Sequence, residues 1–213
     1  VTITAITPQV RRAGRFSVFI DGEFAFGVSE AQLAEFGLSN NQALTEQQLR
    51  EFERRLDFDT VRRSAIRSLE LRMNSESELR NKLKRKEFDP ALIEDVLEWL
   101  KQRRLVDDAA FAARWIETRR ELQGLGDYRL RQELRKKGIE GELIDEAFAG
   151  QGEEEEGQVG RAARWAARRY SSQLASLDDQ HVKAKIMSAI VRRGFPYGIA
   201  KGAVEQLSAE RDD

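Results

Sequence analysis

Few residues in this chain could do covalent chemistry. Cysteine is absent, His181 is the single histidine, and there is no glycine-rich phosphate loop or Walker-type lysine. A lone histidine near a helix start lacks the positioned partner that general acid–base catalysis needs. Glu153-Glu154-Glu155-Glu156 is a flat run of four acids. It lacks the alternating ligand spacing of a calcium loop, so a solvated linker describes it better than a cation site. No catalytic residue, metal or cofactor is therefore expected. What the chain sets out in order is positive charge, and the chemistry open to that charge is recognition of anions.

The basic residues form stripes. Arg80, Lys82, Lys84, Arg85 and Lys86 lie in one segment; Arg129, Arg131, Arg135, Lys136 and Lys137 lie in a second; Lys183, Lys185, Arg192 and Arg193 lie in a third. Two positions are basic in all three segments: Arg85, Lys136 and Arg192, then Lys86, Lys137 and Arg193. Cations in the last turn of a helix gain about 0.3–1 kcal/mol from its dipole, so these pairs fit either dipole matching or a partner. Arg80 with Lys84, and Arg131 with Arg135, are spaced i, i+4. Like charges at that spacing repel by a few tenths of a kcal/mol unless something neutralises them, which favours an acidic or phosphate-bearing partner. In the third segment the same two positions are Met187 and Val191, an apolar face suited to packing on another surface.

The stripes lie on a repeat. Leu79, Leu83 and Phe88 match Leu130, Leu134 and Ile139 at an offset of 51, and these match Ile186, Ile190 and Phe195 at an offset of 56. Gly138 matches Gly194, and Glu87 stands where the first copy would have glycine. Ala112-Ala113-Arg114-Trp115 recurs as Ala162-Ala163-Arg164-Trp165. Repeats of roughly this length are stacked helical units, each needing neighbours to bury its apolar face. Each unit predicts three helices: 60–73, 75–86 and 90–104; then 108–122, 127–137 and 141–149; then 158–173, 179–193 and 197–208. Gly138 and Gly194 predict left-handed helix ends, in which the next residue packs back on the turn before it. Glu87 held in that conformation would cost about 1 kcal/mol, or that helix ends differently. The expected repeat core is Leu79, Leu83, Phe88, Phe111, Trp115, Leu130, Leu134, Gly138, Ile139, Trp165, Ile186, Ile190, Gly194 and Phe195. Trp99, Trp115 and Trp165 could stack on bases, but core packing is the better account, because Trp115 and Trp165 sit beside paired alanines.

Before the helices come strands. Ile3–Ile6, Phe16–Ile20 and Phe24–Phe26 are rich in β-formers, and Asp21-Gly22 predicts a type I′ hairpin turn between the last two. An exposed edge near Phe16 to Phe26 is a candidate pairing site. Ser29 with Gln32, and Thr45 with Gln48, are capping boxes opening helices, with Gly37 ending the first. Asp107 is a suitable N-cap, and Pro90 and Pro196 sit where helices begin. The expected division is 1–58, a β-rich and helical segment; 60–106, the first repeat; 107–150, the second; 151–157, an acidic linker; and 158–213, the third. The fold class is mainly α, an elongated array of tandem three-helix repeats behind a small hairpin-containing segment.

Charged residues make up 34% of the chain and hydrophobic residues 40%, so charge coats helices rather than marking disorder. The net charge of −1 hides a division: residues 60–106 carry 12 basic and 8 acidic side chains, while residues 1–59 carry 6 and 9. Dedicated nucleic-acid binders are usually basic overall, so contact with phosphates would rest on local stripes. No signal peptide and no apolar run of membrane-spanning length are visible.

Leu105-Val106-Asp107-Asp108-Ala109-Ala110-Phe111-Ala112, Gly126 to Ile139, and Ser75 to Phe88 apart from Glu87 resemble the signatures of the RecX regulatory proteins, bacterial modulators of the RecA recombinase. The resemblance covers the chain from about residue 60 to its end, and the N-terminal strands look like those of longer members. It implies a cytoplasmic, non-enzymatic protein lying in the deep groove of the RecA–DNA filament, bridging neighbouring subunits and suppressing strand exchange, ATPase and coprotease activities. RecA and its DNA filament are the implied partners, with weak direct DNA binding beside them, no membrane, and a monomeric chain. The basic residues of the first two stripes, with Arg192 and Arg193, are the expected contacts. The alternative is a sequence-independent DNA-binding protein that competes with RecA for DNA.

Overall fold

The computed structural model describes residues 1–10, 12–177 and 179–212, with side chains as far as residue 211. It divides into two compact units, residues 1–68 with 83–99, and residues 69–82 with 100–213.

The first unit opens with an antiparallel sheet of β1 (Ile3–Pro8), β2 (Arg15–Ile20) and β3 (Glu23–Ser29) in the order β1-β2-β3. Asp21 and Gly22 both take positive φ, 47° and 88°, as a type I′ turn requires. Because β2 pairs on both sides, Phe16–Ile20 is the middle strand and not an edge. Residues 41–44 cover the start of β1, where the Ile3 amide donates to Gln42 at 2.9 Å and the Leu44 amide to Val1 at 2.8 Å. Ile3, Val18, Ile20, Phe26 and Val28 alternate inward and bury against Leu38 and Leu44.

Ser29 and Gln32 form the expected capping box at α1 (Glu30–Glu35). Gly37 follows at φ 59°. Thr45 and Gln48 exchange bonds of 2.9 and 3.2 Å at the start of α2 (Glu46–Leu71). Leu49, Phe52 and Leu56 of α2 pack on the sheet cluster. The break expected near residue 59 does not occur. α2 is a single helix of 26 residues. No glycine or proline interrupts it there, and Thr60 turns its hydroxyl back to the Leu56 carbonyl at 2.9 Å instead of capping a new helix.

The remaining helices are α3 (Glu76–Lys84), α4 (Pro90–Gln102), α5 (Asp108–Gln123), α6 (Asp127–Lys136), α7 (Gly141–Gly150), α8 (Glu155–Arg169), α9 (Gln180–Arg192) and α10 (Tyr197–Asp212), with a 3-10 segment at Ser171–Ser176. The acidic stretch at 151–157 is only partly a linker. Glu155 and Glu156 form the first turn of α8, where acids are favoured by the helix dipole, and the Glu153 side chain is only 23% exposed. Within the second unit, Phe111, Ile116, Leu130, Leu134, Ile139 and Ile144 form one core. Ala162, Ile186, Ile190, Phe195, Ile199 and Leu207 form another. Leu79 and Leu83 are fully buried, while Phe88, Trp115 and Trp165 are half-buried. Gly138 is exposed and contributes a turn rather than core volume.

The middle helices of the three repeats end alike. Gly138 at φ 78° lets the Ile139 amide reach the Leu134 carbonyl at 3.1 Å, and Gly194 at φ 100° lets Phe195 reach Ile190 at 3.4 Å. Glu87 holds the same left-handed conformation at φ 60° without being glycine, so the first repeat makes that turn at a cost of about 1 kcal/mol.

These ends dock in series. The Lys137 carbonyl, at the C-terminus of α6, accepts from the Ser75 hydroxyl at 2.7 Å at the N-terminus of α3. The Arg193 and Gly194 carbonyls, at the C-terminus of α9, accept from the Gly126 and Tyr128 amides at 3.1 and 3.2 Å at the N-terminus of α6. Gly126 has no side chain with which to cap α6, so the next repeat supplies what is missing. The α9 N-terminus is capped by Asp179, whose carboxylate accepts from the His181 amide at 2.7 Å. Contact at these docks is backbone-close. A Cβ at Gly138 would overlap the Cβ of Ser77, one at Gly194 the Cβ of Arg129, and one at Gly126 the backbone of Gly194.

Gly194→Ala should therefore cost about 2 kcal/mol more than Gly37→Ala, which shares the positive φ but has open space around it. Denaturant unfolding of the two variants checks this, and equal losses would mean that the dock has slack.

Candidate partner-binding surface

The two positions that are basic in every repeat have opposite fates. Arg85, Lys136 and Arg192 are exposed. Their sequence neighbours reach back to the first helix of the same repeat, Lys137 and Arg193 half-buried and Lys86 exposed. Lys137 places its Nζ 4.0 Å from the centre of the Trp115 ring, and the Arg193 guanidinium lies 4.9 Å from that of Trp165. Trp115 corresponds to Ser64 at the offset of 51, and there Lys86 Nζ donates to the Ser64 hydroxyl at 2.6 Å. One cation of each pair thus reaches an equivalent spot in its own repeat, while the other is exposed.

Most of the other stripe residues have partners within the chain. Arg80 pairs with Glu76 on its own helix, and Lys82 donates to Asn74 at 2.7 Å. Arg129 pairs with Glu133 at 3.5 Å. Arg131 pairs with Asp145 and lies 4.3 Å from the centre of the Phe148 ring. Asp145 supplies the counter-charge that the i, i+4 repulsion with Arg135 would otherwise require from outside. Lys84 and Arg135 are exposed. In the third repeat Met187 packs on its own core and Val191 is exposed.

Two charged clusters lay outside the sequence expectations. Glu78 binds Lys137 at 2.8 Å and Arg72 at 3.1 Å, beside the Ser75 dock. Burial tends to raise the Glu78 pKa, but hydrogen bonds and charge from Arg72 and Lys137 outweigh it and hold the carboxyl below its ordinary value. Asp108 goes the other way: burial raises its pKa, against the Glu76 amide that its Oδ1 accepts at 2.8 Å. The second cluster lies between α6 and α8. Arg161 is 6% exposed and bonds Glu153, Asp127 and the Leu125 carbonyl. Arg120 meets Asp127 with two bonds of 3.0 Å and the Gln151 carbonyl at 2.8 Å. The only sequence signal was an arginine four residues before Trp165 on the inward face of α8, which periodicity alone reads as ordinary surface charge.

His181 is exposed in the first turn of α9. Among the described residues no cluster of histidine, cysteine, aspartate or glutamate could hold a metal ion, and no helix is long and apolar enough to cross a membrane. Tandem three-helix units with charged joints and outward cations define a helical-repeat protein. Family models match three segments of it: the RecX N-terminal domain at residues 1–45, the first RecX three-helix domain at 62–100 and the second at 107–147. Regulatory protein RecX of Levilactobacillus brevis is 34% identical over 219 residues, covering 99% of this chain and 78% of the relative. That of Bacillus licheniformis is 31% identical over 211 residues, covering 99% and 79%. A crystal structure of regulatory protein RecX superposes with a TM-score of 0.73 at 28% identity, covering 96% of this chain and 98% of the other. The chain belongs to the RecX family of regulatory proteins.

The two perturbed carboxyls make opposite contributions to acid stability. A depressed folded pKa at Glu78 stabilises above its unfolded value of about 4.5 and loses that contribution as pH falls through the folded value. A raised folded pKa at Asp108 makes the native state bind the proton more tightly, so stability falls as pH rises from about 3.8 toward the folded value. Glu78→Gln should flatten the acid limb of a stability–pH curve, and Asp108→Asn should steepen it. Calorimetry across that range checks both signs.

Proposed function

We propose that this chain is a cytoplasmic, monomeric negative regulator of the RecA recombinase that acts by binding rather than by catalysis. It lies in the groove of the RecA–DNA filament and suppresses recombinase, ATPase and coprotease activities by blocking or destabilising the filament. The observation that carries this reading is the outward set Arg85, Lys136 and Arg192, one cation at an equivalent position in each of three repeats. A partner that repeats, such as the subunits of a filament, suits a surface that repeats. Membership of the RecX family supports the choice of RecA. Arg135 and Lys84 extend the set, while Arg131, Lys137 and Arg193 serve the fold first, because each has a structural contact inside the chain.

The test is the single-stranded-DNA-dependent ATPase of the cognate RecA. Wild-type protein should inhibit at amounts well below one per RecA, and inhibition should persist at raised salt. Arg85→Glu, Lys136→Glu and Arg192→Glu combined should raise the amount needed for half-inhibition about tenfold or more, with thermal unfolding little changed. Inhibition that appears only when the protein saturates the DNA, and that salt abolishes, would assign the effect to competition for DNA instead.

A further inference from the structure

The second and third repeats share a constellation: a tryptophan at the repeat joint, an arginine beside it and another four residues after it. In the second repeat it is closed. Arg114 pairs with Glu117 at 2.7 Å, Arg119 lies near Glu133 at 3.8 Å and 4.1 Å from the centre of the Trp115 ring, and the Trp115 Nε1 donates to Glu133 at 3.1 Å. In the third repeat Arg164 and Arg169 correspond to Arg114 and Arg119. The positions of Glu117 and Glu133 are there Ala167 and Ala189. Both neutralising carboxylates have been replaced by methyl groups, and a further arginine, Arg168, has been added. Among the described residues none of Arg164, Arg168 and Arg169 forms an ion pair, and all three are exposed.

These arginines line a cleft of about 570 Å³ with Trp165 and Arg193, formed by α8, the end of α5 and the end of α9. Arg120 and Arg161, which also line it, pair with Asp127 and Glu153, although the Arg120 Nε is itself buried with no hydrogen-bond partner. Arg193 lies over Trp165, and its Nε is buried with no hydrogen-bond partner. Burial first, and Arg129 next, push the Arg193 guanidinium below its ordinary pKa, and its Nη2 donates to the Gln123 carbonyl. We propose that the cleft between α5, α8 and the end of α9 binds the phosphodiester backbone of single-stranded nucleic acid, with Arg164, Arg168 and Arg169 on phosphates and Trp165 against a base.

Three features favour phosphodiester over an acidic peptide. Every cation lining the cleft is arginine, whose planar fork meets phosphate oxygens two at a time. Arg164 and Arg168 are about 6 Å apart along the helix axis, on the order of the step between successive phosphates of an extended strand. Trp165 is half-buried with part of its ring in the cleft, the kind of platform on which bases of any sequence stack. This site adds to the proposed RecA regulation without resting on it, and it can be tested with DNA alone.

The experiment is fluorescence anisotropy of a labelled oligothymidylate titrated with the full chain over a range of salt, for wild type, Arg164→Ala/Arg168→Ala, and Arg164→Lys/Arg168→Lys. Circular dichroism confirms that each variant is folded. Wild type should bind with an affinity that falls as salt rises. The alanine pair should weaken binding about tenfold or more and reduce the log–log salt slope by about 1.4, at about 0.7 per phosphate contact. The lysine pair should restore most of the slope and less of the affinity. Unchanged affinity and slope in the alanine pair would overturn the proposal. So would displacement of the oligonucleotide by polyglutamate at equal charge, which would assign the cleft to an acidic protein segment.

Discussion

The constraint on which the helical part of this molecule depends is the head-to-tail docking of its middle helices. The C-terminus of α6 meets the N-terminus of α3, and the C-terminus of α9 meets that of α6. Each contact joins the negative end of one helix dipole to the positive end of another and satisfies groups that a lone helix leaves unpaired. It requires backbone approach, which explains the glycines at 126, 138 and 194. Glu87 makes the left-handed turn of the first repeat without glycine, at a cost of about 1 kcal/mol.

Charge does two jobs that the sequence writes in the same letters. Adjacent cations at the end of each middle helix divide into one that reaches back to the first helix and one that does not. At the joints charge replaces apolar mass: Arg161 is buried between Glu153 and Asp127, and Glu78 is held between Arg72 and Lys137. Removing one member of such a set leaves its partner buried and uncompensated, which costs far more than the intact set contributes. The same economy makes the open arginines of α8 conspicuous, because the second repeat shows how that constellation looks when it is closed.

Much of the fold was legible because it rests on local signals. The Asp21-Gly22 turn, the capping boxes at Ser29 and Thr45, the Asp107 cap and the glycine ends are each set by residues within one turn of the chain. Periodicity separated eight helical segments correctly from 75 onward but placed a boundary inside α2, where no residue type forbids continuation. The exposed set of cations was legible only as composition. Which of two neighbouring cations reaches back depends on whether an aromatic or hydroxyl side chain waits on another helix, and that information lies some twenty residues or more away. Arg131 and Asp145 are 14 residues apart, and Arg161 and Asp127 are 34 apart. Neither pair lies within a single helix, so helical periodicity cannot bring its members together.

Asp179 has a consequence for how such an array could have grown. A unit whose middle helix borrows its N-terminal hydrogen-bond acceptors from the unit after it can be followed by another copy of itself without redesign, and α6 with its bare Gly126 is such a unit. α3 does both, since its Ser75 hydroxyl accepts from the Glu78 amide and donates to the Lys137 carbonyl. In α9 the aspartate meets the His181 amide from within the same repeat, so that donor asks nothing of a further unit.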